Sequence, residues 1–230
     1  MAVHGKKYRQ AASQVDRDTL YTIEGAIRFL KDNPTTKFDA TAEIAFRLGV
    51  DPTKSDQAVR GTVTLPHGTG KSVRVLVFAS GPAADAAREA GADLVGFEDL
   101  LEKVKGGFTE FDVAVATPDA MKEVRKLGKV LGPRGLMPNP KTGTVSDDTA
   151  AAVQACKAGR VEFRMDRHGN VMVPFGKMSF EVDALRENCR AVVDALNAAR
   201  PAAAKGLFIK RATMTSSMGP GLRLDPRETA

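Results

Sequence analysis

Tryptophan is missing from this chain, which by itself excludes little, but the other scarcities exclude more. Only two cysteines occur, Cys156 and Cys189, with no CxxC spacing and no neighbouring histidine. That argues against a disulfide framework or a zinc site and reads as two free thiols. The three histidines, His4, His67 and His168, are isolated in sequence, so none has metal-ligand spacing; a surface or turn role is expected for each. No stretch approaches the roughly 18 consecutive apolar residues of a membrane helix. The polar segment Met1 to Leu20 lacks the apolar run of about 7–15 residues that a signal peptide needs. No membrane association and a cytoplasmic location are therefore expected.

Catalytic signatures are also lacking. There is no G-x-S-x-G elbow and no G-x-G-x-x-G run. No carboxylate pair sits in a polar, glycine-flanked context suited to acid/base work. His67-Gly68-Thr69-Gly70-Lys71-Ser72 imitates the end of a phosphate-binding loop. The full motif needs glycine where Leu65 stands, and a helix rather than the strand-like run from Val73 must follow. A hinge is the better reading of this segment. No catalytic residue, metal or cofactor is expected, short of a site assembled only in three dimensions.

What is present is a chain of 230 residues, 43% apolar, long enough for one large or two small domains. The net charge of +6 is unevenly spread. Residues 67–159 carry 12 basic and 12 acidic side chains, residues 1–66 carry 10 and 8, and residues 160–230 carry 12 and 8. The excess therefore lies at the two ends of the chain; a polyanion-binding surface is one physical reading of that asymmetry, and chance in so modest an excess is the other.

The middle alternates strands and helices. Val73 to Ala79, Ala92 to Val95 and Phe111 to Ala116 read as strands. A helix opens at Gly81-Pro82, another spans Phe97 to Lys105, a third follows Thr117-Pro118 and stops at Gly128, and a fourth is capped by Ser146 and ends near Gly159. Such alternation predicts a parallel sheet covered on both faces. The ends differ. Thr22 caps a helix carrying Ile23, Ala26, Ile27 and Leu30 on one face. Lys37 to Leu48 alternates as a half-buried strand, and Arg60 to Leu65 is another. Arg160 to Met165 and Asn170 to Pro174, around Arg167-His168-Gly169, read as a hairpin. Val182 to Ala199 is a long amphipathic helix, and Gly206 to Thr215 a last strand.

The economical architecture is an α/β chain of two domains. Residues 1–66 and 160–230 build a discontinuous α+β domain. Residues 67–159 form an inserted three-layer, Rossmann-like α/β domain, joined through a double-stranded hinge near 66–72 and 158–160.

The most distinctive segment lies in that middle: Leu127 to Val145, LGKVLGPRGLMPNPKTGTV. Seven of its residues are glycine or proline, with Lys129, Arg134 and Lys141 among them. That composition reads as a long, shaped, basic loop rather than helix or sheet interior. The end domain supplies more material for RNA. Lys37, Thr41 and Arg47 share one strand face, Arg164 and Arg167 lie on the expected hairpin, and Lys205, Lys210 and Arg211 near the last strand. Ser216, Ser217, Met218 and Gly219 offer small polar groups and one apolar side chain to a nucleic-acid backbone or base. Solvated surface charge is the plain alternative for each basic residue, and core packing for Phe38.

Seven segments, in order along the whole chain, carry a resemblance: HGKKYR (His4 to Arg9), KFDATAEIAFRLGVDP (Lys37 to Pro52), DQAVRGTVTLPHGTGK (Asp56 to Lys71), FDVAVATPD (Phe111 to Asp119), LGPRGLMPNPKTGTV (Leu131 to Val145), GKMSF (Gly176 to Phe180) and SSMGPG (Ser216 to Gly221). The chain resembles the bacterial L-one family of ribosomal stalk proteins of the large subunit. The resemblance implies two domains with the second inserted, and a structural rather than catalytic role. It implies ribosome-associated partners: large-subunit ribosomal RNA at the mobile stalk, tRNA leaving the exit site, and the messenger RNA of its own operon, whose translation it would repress. The free protein would be a monomer. Matched to the family's K-F-x-x-T strand and S/T-M-G-P turn, the RNA-binding residues are Lys37, Phe38, Thr41, Ser217, Met218 and Gly219. Arg164 and Arg167 match basic positions near the same surface. Arg134 and Lys141 are candidates for a secondary contact with RNA or tRNA, with a purely structural role for their glycine/proline framework as the other reading. The chain departs from the family pattern at Ala40, where Glu is usual, at Met172, where His is usual, and at Ser217, which keeps the hydroxyl of the common Thr. Two rival readings remain: a nucleotide- or phosphate-binding α/β enzyme, suggested by residues 67–128 alone, and a free-standing translational repressor that never joins ribosomes.

Overall fold

A computed structural model describes residues 5–16 and 18–229, which leaves His4 outside the described residues. The helices are α1 (Lys6–Ser13), α2 (Ile23–Asp32), α3 (Pro82–Glu89), α4 (Glu98–Lys105), α5 (Met121–Val124), α6 (Gly128–Leu131), α7 (Thr149–Lys157) and α8 (Val182–Ala198). The strands are β1 (Thr41–Leu48), β2 (Arg60–Thr64), β3 (Val75–Phe78), β4 (Leu94–Gly96), β5 (Val113–Ala116), β6 (Arg160–Arg164), β7 (Asn170–Lys177), β8 (Ile209–Ser216) and β9 (Leu222–Arg223). The chain divides into two compact units, residues 1–70 with 161–230, and residues 71–160. Among the described residues no helix is long and apolar enough to cross a membrane.

The first unit is built on an antiparallel sheet in the order β7-β1-β8-β9, with β2 and β6 pairing separately. The period-2 pattern of β1 sends Ala42, Ile44, Phe46 and Leu48 inward. There they meet Ile23, Ile27 and Leu30 of α2 and Leu185, Cys189, Val192 and Leu196 of α8. Burial of each large side chain in this core, such as Phe46 or Phe175, is worth about 1.5–3 kcal/mol. Thr22 caps α2 as expected, its Oγ1 accepting from Gly25 N at 3.1 Å. The opposite sheet face presents Glu43 and Arg47 of β1 to solvent.

Four expectations for this unit change. The strand begins at Thr41, not Lys37, because side-chain bonds such as Thr36 Oγ1 to the Phe38 carbonyl (3.0 Å) hold residues 36–40 outside the ladder. β6 and β7 are not a hairpin: β6 pairs with β2, and β7 with β1. The Asp166 carboxylate accepts from the backbone N–H of His168 and of Asn170, each at 2.8 Å, and this turn hands the chain from one sheet to the other. Those bonds, Asn170 first, hold the Asp166 carboxyl below its ordinary range. The α1 helix was not anticipated, since Ala11 is its single buried residue and gives no periodic signal. Finally, residues 67 and 68 are pinned. Fully buried Asn188 accepts from His67 N–H (3.0 Å) and donates to the carbonyls of Gly68 (3.0 Å) and Phe175 (2.9 Å). The His67 ring lies 2.7 Å from Glu187, and this hydrogen bond lowers the Glu187 carboxyl's proton affinity.

The second unit is a three-layer α/β arrangement. Its parallel sheet has the order β4-β3-β5. Leu76 and Phe78 pack with Leu100 and Val104 of α4. Val75 and Val77 turn to the opposite side and pack with Ala84 and Ala87 of α3 and Val153 and Cys156 of α7. Two details differ from the sequence reading. Asp148 rather than Ser146 caps α7, its carboxylate accepting from Ala151 N at 2.9 Å. Gly128 does not stop the preceding helical segment: a 3-10 turn at Arg125–Leu127 leads directly into α6. Both cysteines are free and buried; burial pushes the Cys189 thiol up to about 12 and raises that of Cys156.

Candidate nucleic-acid interface

The start of β1 and the end of β8 are neighbours in the sheet, and their junction joins most of the residues singled out above. Thr41 N–H donates to Ser217 Oγ at 3.1 Å, and Ser217 N–H donates back to the Thr41 carbonyl at 3.0 Å. Thr35 Oγ1 adds a bond to the Ser217 carbonyl at 3.4 Å. After Ser217 the chain reverses: Gly219 N–H donates to the Ser216 carbonyl at 2.8 Å. Met218 at the apex has φ 58°, and it is the one non-glycine residue with positive φ among the described residues. A left-handed methionine is costly and persists only where its surroundings over-determine it. Here Thr215 Oγ1, bonded to the carbonyls of Ser216 (3.1 Å) and Gly219 (3.2 Å), supplies that constraint from inside the turn. Gly219 is required for space, since a Cβ there would stand 2.4 Å from Ser216 Oγ.

The turn directs Met218 into solvent, 76% exposed, and Phe38 is 59% exposed. Both are large apolar side chains that lie outside the core. The alternative reading of Phe38 as a core residue does not hold. Lys37 is also exposed, one residue before Phe38. A hollow of about 290 Å³ lies beside Phe38, lined also by Lys31, Thr35, Thr36, Asp39 and Met178. Ala40 is buried, its carbonyl accepting from Met178 N–H at 2.8 Å. The small side chain therefore forms part of the wall of this hollow.

Two supporting residues were missed by sequence reasoning. Lys177 Nζ donates to Thr41 Oγ1 (3.1 Å) and to the Asp39 carbonyl (3.2 Å), fixing the hydroxyl and adding a cation at the junction. The Asp39 carboxylate accepts from Ser179 N–H (3.1 Å) and Ser179 Oγ (2.8 Å), which ties the segment before β1 to the end of β7. Both partners lie in the GKMSF segment, so the signal was present, but its register against Thr41 was not legible.

Arg164 and Arg167 do not join this group. Thr41 pairs with Lys177 at one end of the β1–β7 ladder, and Arg47 pairs with Asn170 at the other. The turn bearing Arg167 precedes Asn170, so it belongs to the Arg47 end, about 20 Å along the strand from Thr41 at roughly 3.4 Å per residue. Arg164 ends β6, in the separate two-stranded sheet; both arginines are exposed.

In the second unit Arg134 is exposed and its guanidinium donates to Thr109 Oγ1. Lys141 lies in the 3-10 turn Pro140–Thr142, its side chain outside the described part of the molecule. The glycine/proline segment is tied down internally. Asn139 N–H donates to Thr144 Oγ1 at 2.8 Å, and buried Thr142 donates to the Asn139 carbonyl at 3.0 Å. The segment then returns to the sheet through an Ala116–Val145 parallel bridge. It is a braced part of the fold, not an open loop.

With this geometry in hand, comparison with known proteins is informative. Residues 30–220 match the ribosomal protein L1p/L10e family. The chain is 58% identical to the large ribosomal subunit protein uL1 of Thermobifida fusca (strain YX), over 97% of this chain and 95% of that protein. It is 56% identical to the protein of the same name from Bifidobacterium longum (strain NCC 2705), over the full length of both. A similar protein of that name in Beutenbergia cavernae is 56% identical over all of this chain and 96% of its own length.

Proposed function

The chain belongs to the ribosomal protein L1p/L10e family, whose members are structural and non-enzymatic, and from that premise we propose that it is a stalk protein binding large-subunit ribosomal RNA through the Thr41–Ser217 junction. The observation that carries this reading is the Ser216–Gly219 turn: a strained, braced apex that holds Met218 in solvent beside exposed Phe38. Strain of this kind is maintained where a partner uses it. Phe38 and Met218 offer apolar surfaces to an unstacked base or ribose, and the small turn lets an RNA backbone approach closely. Lys37 and Lys177 supply positive charge for phosphates, while Thr41 and Ser217 supply a fixed polar edge. Arg164 and Arg167 act farther along the same unit, as phosphate contacts rather than members of the junction.

The finer roles follow from the same binding surface. A protein that grips one RNA shape binds a messenger presenting that shape, so an excess of free protein represses its own operon. On the ribosome, the second unit carries Arg134 and Lys141 toward exit-site tRNA and aids its release, the two chain crossings at 69–72, beyond the pinned residues 67 and 68, and at 158–160 acting as the hinge. The protein works in the cytoplasm on ribosomes and is a monomer when free.

Sedimentation tests the assignment. Tagged chain from a cell lysate is expected to travel with large subunits in a sucrose gradient, and Thr41→Val to shift toward the top. Wild-type protein found only in the free fraction would leave a free-standing repressor as the better account. A thermal shift of the second unit's transition with ATP or a dinucleotide would favour a nucleotide-binding enzyme; no shift is expected.

A further inference from the structure

We propose that Gly70 is a positioning residue of the Thr41–Ser217 junction: the chain, where it leaves the first unit, bears on the stem of Lys177, whose ammonium sets the Thr41 hydroxyl. The proposal rests on the RNA-binding reading above. Gly70 is the last residue of the first unit before the chain passes into residues 71–160. Its backbone is left-handed, with φ 70°. A Cβ at this position would stand 2.8 Å from Lys177 Cγ and 3.0 Å from the edge of the Phe180 ring. The backbone therefore lies directly on the aliphatic part of Lys177, with no space that a methyl group could fill. Upstream, Asn188 holds residues 67 and 68, so freedom in this crossing begins at residue 69 and meets Lys177 at residue 70.

The far end of the same side chain reaches the junction. Lys177 Nζ donates to Thr41 Oγ1 at 3.1 Å and to the Asp39 carbonyl at 3.2 Å. An ammonium has three protons to donate and no lone pair. A hydroxyl that accepts one of them keeps its own proton for another acceptor. Thr41 is thereby fixed as a donor, which suits a phosphate oxygen, a 2′-hydroxyl or a base carbonyl.

The surroundings leave Lys177 as the part that gives way. Phe180 N–H donates to the Lys177 carbonyl at 3.0 Å, closing a turn over residues 177–180. That turn is bonded to the segment before β1. Met178 N–H donates to the Ala40 carbonyl at 2.8 Å, and Ser179 donates to the Asp39 carboxylate through its N–H (3.1 Å) and its Oγ (2.8 Å). Lys31 of α2 adds a bond to the Phe180 carbonyl. With the backbone of the turn held at both ends, a push from residue 70 is taken up by the Lys177 side chain and moves its ammonium. Coupling of this kind is reciprocal: RNA that fixes the junction also fixes the crossing.

The test uses the full chain and a stalk RNA fragment, with affinity measured by fluorescence anisotropy. Gly70→Ala displaces the Lys177 stem and is expected to bind about tenfold more weakly. Gly206→Ala is its control: the same unit and a similar φ of 74°, with nothing within 4 Å of the added Cβ. It should lose similar stability and keep affinity within about twofold. Lys177→Met removes the ammonium and keeps a stem, at an expected cost of about tenfold. The double variant Gly70→Ala/Lys177→Met should bind no worse than Lys177→Met, because both changes break one link. Losses that multiply to about 100-fold would overturn the proposal, and so would Gly70→Ala within about twofold of wild type. Should Gly70→Ala not fold, hydrogen exchange decides the matter with Lys177→Met alone. RNA should slow exchange at residues 69–71 in wild type and not in this variant; equal slowing in both would contradict the proposal. Wild-type protein that ignores the stalk RNA would instead overturn the underlying reading.

Discussion

The two units of this chain solve the problem of covering a sheet in opposite ways. In residues 71–160 the strands are parallel, every crossover is helical, and both faces are buried, by α4 on one side and by α3 and α7 on the other. In residues 1–70 with 161–230 the strands are antiparallel and α2 and α8 lie on a single face. Antiparallel connections do not force helices onto both sides. The free face and strand ends of the first unit are therefore available for binding, whereas the second has no such face to give. Charge follows the same division, since the excess of basic residues lies in the two ends of the sequence and the middle is neutral.

The sharpest way to break this comparison is to crowd the turn that follows β8 at the junction with β1. A Cβ at position 219 would lie 2.4 Å from Ser216 Oγ and 3.2 Å from the Ser216 carbonyl oxygen, so Gly219→Ala displaces buried Ser216 and disturbs the turn that holds Met218. We expect a loss of stalk RNA affinity of about 30-fold, with about 1–3 kcal/mol of stability, measured by anisotropy and urea titration. Next in effect is the core beneath that face. Phe163→Ala should cost about 3–5 kcal/mol, and calorimetry should show one of two transitions lowered while the other stays. A single transition moved as a whole would mean that the units do not melt separately.

Asn188→Ala is a smaller probe of the same unit. It strands the His67 N–H and the carbonyls of Gly68 and Phe175, for an expected cost of about 1–3 kcal/mol. Hydrogen exchange should quicken at residues 67 and 68. If protection there is unchanged, the pinning of this segment to α8 is wrong. The smallest effect distinguishes neither unit. Buried Cys156 and Cys189, each with its thiol pushed above the ordinary range, should stay unreactive toward a disulfide reagent at pH 8 until the chain unfolds. Prompt labelling of either would contradict the burial described.

Much of this was legible in the sequence, and the failures have physical causes. Periodicity identified α2, α8 and β1, because each commits one whole face to a core. The alternating apolar runs of the middle gave its layered arrangement. Pairing was harder. A tight turn at Asp166 looks the same whether its two strands pair with one another or, as here, with β2 and β1. For that reason the segments bearing Arg164 and Arg167 were read as one hairpin, whereas Arg164 ends β6 in the two-stranded sheet and Arg167 lies in the turn before β7. The motif singled out Lys37, Phe38, Thr41, Ser217, Met218 and Gly219 as candidates, and the structure sets Thr41 and Ser217 against one another at the junction of β1 and β8. Lys177 was not legible, since its bond to Thr41 depends on register across strands far apart in sequence. The glycine/proline segment misled in the other direction. Its composition read as a long, shaped, basic loop with either a functional or a structural role, but Asn139, Thr142 and Thr144 brace it internally and Val145 bridges to the sheet at Ala116.

The central claim is that the junction of β1 and β8, not the conspicuous segment of the second unit, is the RNA grip. Stalk RNA affinity of Met218→Asp and Arg134→Gln, measured side by side, tests it most directly. A carboxylate at the exposed apex should repel phosphate and weaken binding about 100-fold with an unchanged melting curve, while Arg134→Gln should stay within about threefold. Binding by Met218→Asp within about twofold of wild type, or a larger loss from Arg134→Gln, would contradict the account.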